Sequence, residues 1–333
     1  MKKNIILILI LCSVKGLTAQ NVGIGTTSPA FKLDVKNGSI NTDSAYRIGG
    51  STVLSVKGTE NTFVGVGAGT VNTSGSYNAA GGFGALASNI TGNYNAAFGH
   101  KALYSSVSGS NSTAFGTSAL LSNTFGANNS AHGVNALYYN TTGSYNTGVG
   151  SHALYLNILG SNNTAIGESA LFSNSGHGNT ALGSLSLYYN GNGNWNTAVG
   201  YSALQQNTGG NYNTAIGYEA LFSNTSALSN TALGIWSLYF NTTGSYNTAG
   251  GDGALHKNVS GWRNTALGSG AMFRNETGNK NTAVGENSLS YTTASDFNTA
   301  VGYNAALKNM GWNNTIVGAE ADATGSGFFN KRS

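Results

Sequence analysis

Hydrophobic and polar positions recur along this chain with a period of seventeen residues. Residues 193–207 read GNWNTAVGYSALQQN, and residues 210–224 read GNYNTAIGYEALFSN. The shared phrase, N-T-A-x-G with small variations, starts at residues 61, 78, 95, 112, 129, 146, 163, 179, 196, 213, 230, 247, 264, 281, 298 and 314. Every interval is 17 except two of 16. Self-similarity at a fixed period decides the architecture before any local reading does.

With the first residue of the phrase as position 0, glycine stands at +4 in all sixteen copies, threonine at +1 in thirteen and leucine at +8 in twelve. Position +2 is small, usually Ala, and +3 is usually Val, Ile, Leu or Phe. Asn stands at +11 in thirteen of the sixteen copies, and Gly commonly follows near +14. N-T-A-V-G predicts a short strand, because β-branched residues favour extended backbone. The +4 glycine permits a bend or a backbone approach that a side chain would block. Ala-Leu at +7 and +8 predicts a second short strand, often followed by an aromatic: Tyr138, Tyr155, Phe172, Tyr188, Phe222, Tyr239 or Phe273. The Asn-to-Gly segment from +11 predicts a turn. Seventeen residues are too few for a propeller blade and suit one coil of a β-solenoid, with coils about 4.8 Å apart. The fold class expected is therefore all-β: a β-solenoid or β-roll of about sixteen coils, on the order of 75 Å long. Stacking turns each position into a column, so the Asn residues at 0 and +11 predict amide ladders.

Composition agrees with such a fold. Only 8% of the 333 residues are charged, 49 are Gly and one is Pro, while hydrophobic content is 40%. Low charge with regular spacing argues against a disordered tail. Residues 1–20, MKKNIILILILCSVKGLTAQ, read as a secretory signal peptide cleaved after Ala19 or Gln20. The apolar run is too short for a membrane span, and no later segment is long and apolar enough. Removing it takes away Lys2, Lys3 and Lys15 and no acid, leaving 12 basic against 11 acidic residues. That near-neutral balance gives no support for nucleic-acid binding. Cys12 is the only cysteine, and Leu9-Ile10-Leu11 lacks the small residues that precede a lipidation site. No disulfide is expected. Residues 21–60 read as an N-terminal cap or docking segment: Phe31, Leu33 and Val35 alternate before an Asn37-Gly38 turn, and AYRIGGSTVLSVKG offers a strand pair. The repeat spans 61–318. Residues 319–333 form a C-terminal tail in which Phe328 and Phe329 are placed to cover the last coil.

Asn213-Thr214-Ala215-Ile216-Gly217 resembles the N-S-x-A-x-G head repeat of trimeric autotransporter adhesins, and the likeness extends over residues 61–318. NVGIGTTSPAFKLDV near the start and NTFVGVGAG at 61–69 are similar to bacterial tail-fibre-domain proteins with such repeats. The resemblance implies a trimeric, left-handed β-roll head or stalk that contacts surfaces. The period here is longer than in those adhesins, and neither an anchor barrel nor a self-cleaving chaperone domain is read after the repeat.

Candidate chemistry is sparse. His100, His132, His152, His177 and His256 fall at different repeat positions and make no metal-ligand spacing. Asp252 and Glu286 share column +5 two coils apart, roughly 10 Å, a separation near that of inverting glycosidases, but nothing is organised around them. GVGAG at 65–69 has no following helix to make a phosphate loop. No catalytic, metal or cofactor residue is assigned, and no cofactor is expected. Tyr201, Tyr218, Trp236 and Tyr303 occupy the variable positions +5 and +6 and are candidate surface contacts for a glycan or protein ligand. The +1 threonines would form a regular array, which raises ice binding as an alternative.

On a strand, +1 and +3 face one way and +2 and +4 the other. Neither Thr with aliphatics nor Ala with Gly makes a charged solvent face, so both sides are expected to be buried. This predicts a parallel homotrimer with Ala198, Ala215, Ala232 and Ala266 near the axis. The function expected is that of a non-enzymatic repetitive fibre or adhesin, secreted or on the cell surface, with no transmembrane segment and no nucleic-acid partner. The alternatives are an ice-binding solenoid and a polysaccharide-active β-helix.

Overall fold

The computed structural model describes residues 22–24, 33–35, 45–308 and 311–322. The expected signal peptide of residues 1–20, the expected Asn37-Gly38 turn and Phe328-Phe329 lie outside the described residues. The chain divides into two compact units, Met1–Asp43 and Ser44–Ser333. In the first, β1 (Val22–Ile24) pairs in parallel with β2 (Leu33–Val35), Val22 opposite Leu33.

The second unit opens with a hairpin, β3 (Ala45–Ile48) and β4 (Ser51–Ser55). Its turn is Gly49-Gly50, with φ of 55° and 82°, the positive values that let a two-residue turn follow the strand twist. β4 runs antiparallel to β5 (Thr62–Val64), Leu54 opposite Val64. From β5 onward, sixteen three-residue strands, one per repeat, pair in parallel up to Thr315–Val317. The register is that of the sequence repeat: Thr197 opposite Thr214, Ala198 opposite Ala215, Val199 opposite Ile216. The ladder is open, since Thr315–Val317 pairs with Thr299–Val301 and the hairpin covers the first coil. All regular structure among the described residues is β. The protein is a β-solenoid with coils of about seventeen residues.

The interior is narrow and constant. Ala at +2, Ala or Ser at +7, Leu at +8 and Asn at 0 and +11 are buried in nearly every coil. The polar residues are tolerated there because their amides bond along the stack. Asn213 Nδ2 donates to Asn196 Oδ1 at 3.2 Å and to the Ala227 carbonyl at 2.9 Å, while Asn213 Oδ1 accepts from the Asn230 backbone at 3.0 Å. At +11, Asn207 Nδ2 donates to Asn190 Oδ1 at 2.8 Å and Asn258 Nδ2 to Asn241 Oδ1 at 2.7 Å. Where +11 is not Asn, the ladder breaks. Ser106 and Thr292 take the place of Asn, and Asn89 Oδ1 and Asn275 Oδ1 just before them lack a hydrogen-bond partner. An unmet buried acceptor of this kind costs about 1–3 kcal/mol.

The +4 glycine is required twice over. Gly217 has φ of 139°, a region closed to side chains, and a Cβ there would meet the Gly234 carbonyl. The Ala-Leu segment differs from the strand expected for it. It is a turn, with Leu221 at φ 53° and Leu204 at φ 54°. A left-handed leucine costs about 1–2 kcal/mol. Burying it completely returns about 1.5–3 kcal/mol, so interior packing outweighs backbone preference. Strands form only further along, at +10 to +12, and among the described residues only in one pair of coils, Ser173–Asn174 with Tyr189–Gly191.

Candidate ligand-contact surface

The fixed interior sends the variable positions outward. Tyr201, Tyr218 and Tyr303 at +5 and Trp236 at +6 are all exposed. Tyr201 and Tyr218 stack with centroids 5.5 Å apart. Trp236 meets Tyr218 edge-on at 6.3 Å, and its Nε1 donates to Glu219 Oε2 at 2.9 Å. The Glu219 carboxylate also hydrogen-bonds Tyr218, and this bond and the carboxylate's charge raise the Tyr218 hydroxyl above its ordinary pKa. The structure thus brings three of the four aromatics into one group, two of them bonded to the Glu219 carboxylate. Tyr303 stands apart, next in its column to Glu286, with no ring contact to a described aromatic.

Column +9 holds longer aromatic runs. Tyr138, Tyr155, Phe172 and Tyr188 lie at successive centroid distances of 5.3, 5.1 and 4.8 Å. Phe222, Tyr239, His256 and Phe273 follow at 5.1, 5.4 and 4.9 Å. Burial in this second run lowers the His256 pKa below its ordinary value, an effect the neighbouring Lys257 adds to. The rings inside these runs turn their faces to one another, so what they offer to a ligand is mainly their edges. A sequence reading of each aromatic singly misses this, because the neighbours are a full coil away.

A third cluster lies in the two columns just before each anchor, with Tyr246, Arg263, Lys280 and Phe297 one residue before it and Trp262 two. Arg263 sits 5.8 Å from the Tyr246 ring and 4.8 Å from Trp262. Lys280, one coil on, sits 5.0 Å from Trp262 and 4.7 Å from Phe297. All five residues are exposed.

The strand face requires a correction. Ala198, Ala215, Ala232 and Ala266, expected near an axis shared by three chains, have no exposed surface within a single chain. They line its own interior, because only small side chains fit where the strand faces Leu and Asn across the coil. The opposite side points outward: most +1 threonines are half-buried and Thr62, Thr248 and Thr315 exposed, and Ile166, Ile216, Leu233 and Leu267 at +3 are exposed. Both faces were expected to be buried, but in the single chain only the Ala column is fully so, the +4 glycines being half-buried.

Asp252 and Glu286 are both exposed, with exposed Ser269 between them in the column. The histidines are engaged separately: His100 stacks on Phe83, His132 on Phe115, His152 meets Tyr155 edge-on, and His177 Nδ1 accepts from the Ser161 backbone. Among the described residues no group of three or more His, Cys, Asp or Glu could hold a metal ion. No described helix is long and apolar enough to cross a membrane. Neither a protein-family profile nor a curated protein sequence matches the chain.

Proposed function

We propose that this protein is a non-enzymatic repetitive fibre, secreted or held at the cell surface, that acts as an adhesin. The observation that carries the reading is the contrast between columns. Interior positions repeat from coil to coil, whereas one outward slot holds in turn Tyr201, Tyr218, Ile235, Asp252, Ser269, Glu286 and Tyr303. A constant stack of this kind presents many different weak contacts at fixed spacing, and avidity multiplies them. The ligand class is a surface glycan or protein, and the apolar leader of residues 1–20 supplies the export route. A glycan and matrix-protein array tests this: a restricted set of ligands is bound, and the absence of any ligand would refute it.

The protein assembles as a homotrimer, with the Thr–aliphatic face as its contact surface. Across sixteen coils that face carries one ionisable residue, His132. At about 4.8 Å per coil and about 10 Å of width it covers on the order of 700 Å², near the roughly 800 Å² per partner of a stable interface. Uncharged exposed patches of that extent mark association sites. Another copy matches its period along the whole length. Light scattering should give three chain masses for the wild type and a smaller mass for Ile216→Lys/Leu233→Lys. A monomeric wild type would refute the assembly.

One observation favours the ice-binding alternative. The outward threonines stand in register on consecutive strands from Thr147 to Thr315. The neighbouring +3 column varies from Gly250 to Phe98, so the plane is uneven, which weighs against it. Thermal hysteresis would reverse the preference.

A further inference from the structure

We infer that the Arg263–Lys280 cluster is a binding site for an acidic polysaccharide, one bearing carboxylate or sulfate groups along an extended chain. This rests on the contact-presenting reading and gives it a ligand class. The cations of the solenoid are concentrated. Of its six Lys and Arg residues between 61 and 322, namely Lys101, Lys257, Arg263, Arg274, Lys280 and Lys308, four fall within 257–280. Arg263 and Lys280 occupy the same column on successive coils, about 4.8 Å apart along the axis. Trp262 stands between them, and Tyr246 and Phe297 close the row at either end.

The aromatic rings hold the two cations in place without using up their donors. Neither the Arg263 guanidinium nor the Lys280 ammonium has a hydrogen bond or ion pair to a described residue. Asp296, beside Phe297 in the next coil, instead accepts through Oδ1 from the backbone and side chain of Asn279 at 2.7 and 3.1 Å. Two long side chains fixed by ring contacts lose less freedom on binding than two free ones. Their N–H groups remain available for charge-assisted bonds to oxyanions.

The extended form of the ligand follows from the surface. The cations lie in a row along the axis, which suits a linear polymer with an anionic group on successive units. Single-stranded nucleic acid fits less well, because its binding sites stack bases on open aromatic faces, and here cations sit against the Trp262 and Phe297 rings. An acidic peptide could not add a strand here, because the backbone of these coils is already bonded to its neighbours: Arg263 N donates to Ser245 O and Lys280 N to Trp262 O, both at 3.0 Å.

The test is affinity electrophoresis of the full chain through gels containing polygalacturonate, dextran sulfate or neutral dextran, with an oligothymidylate competitor. The two polyanions should retard the protein and neutral dextran should not. Retardation should weaken with added salt. Arg263→Gln/Lys280→Gln should weaken polyanion binding roughly tenfold or more, whereas Lys101→Gln, a cation over Tyr104 elsewhere on the solenoid, should not. Other coils carry Tyr, Asn, Trp or Ser in this column, and an unchanged circular dichroism melt will establish that the variant folds. Unchanged binding by the double variant, no retardation by either polyanion, or tighter binding of the oligonucleotide would each overturn the site. If ligands from the array still bind in that case, the patch alone fails. Loss of every ligand would instead refute the adhesin reading.

Discussion

Replacing Gly217 by Ala tests the geometry of the coil at a single atom. Gly217 has φ of 139°, where an L residue is strained by roughly 1–3 kcal/mol. The added Cβ would lie 2.6 Å from the Gly234 carbonyl carbon and closer still to its oxygen. That carbonyl cannot step aside cheaply. Gly217 N is bonded to Val199 O and Gly234 N to Ile216 O, both at 2.8 Å, so relief on one side stretches the ladder on the other. Overpacking of this kind costs about 1–3 kcal/mol. Together the two effects come to roughly 2–6 kcal/mol, or a fall in Tm of roughly 3–9 °C for a chain of this size. The control is the adjacent Tyr218→Ala. That side chain is exposed, and its removal sacrifices one stacked pair, about 0.5–1.5 kcal/mol. Thermal unfolding followed by circular dichroism compares the two. Equal shifts in Tm would show that the glycine column has no geometric role.

Ser106→Asn and Thr292→Asn should each stabilise the protein by about 1–3 kcal/mol, because they supply donors to the orphaned Asn89 Oδ1 and Asn275 Oδ1. An unchanged or lowered denaturant midpoint would contradict the ladder argument. Leu221→Ala should cost about 2–5 kcal/mol through the cavity it leaves, measured by the same titration; a loss below about 1 kcal/mol would mean the coil collapses around it. Burial lowers the His256 pKa from 6.5, so the unfolded chain binds the proton more readily than the folded one. This contribution is intact above about pH 6.5 and is lost as pH falls through the depressed folded value. His256→Phe keeps the stack between Tyr239 and Phe273 and should flatten the dependence of Tm on pH between about 7 and 5; an unchanged slope would count against it.

The period, the Asn ladders and the glycine column were legible in the sequence because each depends on a residue type with one dominant physical use. Leu at +8 was misread as extended because leucine seldom adopts positive φ alone; only the demand to fill a narrow interior places Leu221 there. The Ala side is wrongly assigned to a shared axis for a related reason. Both patterns lack charge, and it is the small bore of the coil that admits Ala215 and leaves Ile216 outside. The grouping of Tyr218, Glu219 and Trp236 was half visible, since the aromatics stood out but the carboxylate linking two of them belonged to another column. Arg263 and Lys280 went unnoticed because they are seventeen residues apart and become neighbours only when the coils stack.

The central functional claim is that a constant scaffold presents contacts to surface ligands. The most direct measurement is binding of the purified protein to an array of neutral glycans, acidic polysaccharides and matrix proteins, run beside a thermal-hysteresis assay on the same sample. The account predicts retention on a restricted set of ligands that includes acidic polysaccharides, with no hysteresis. An array with no bound ligand and a freezing gap that grows with protein concentration would contradict it.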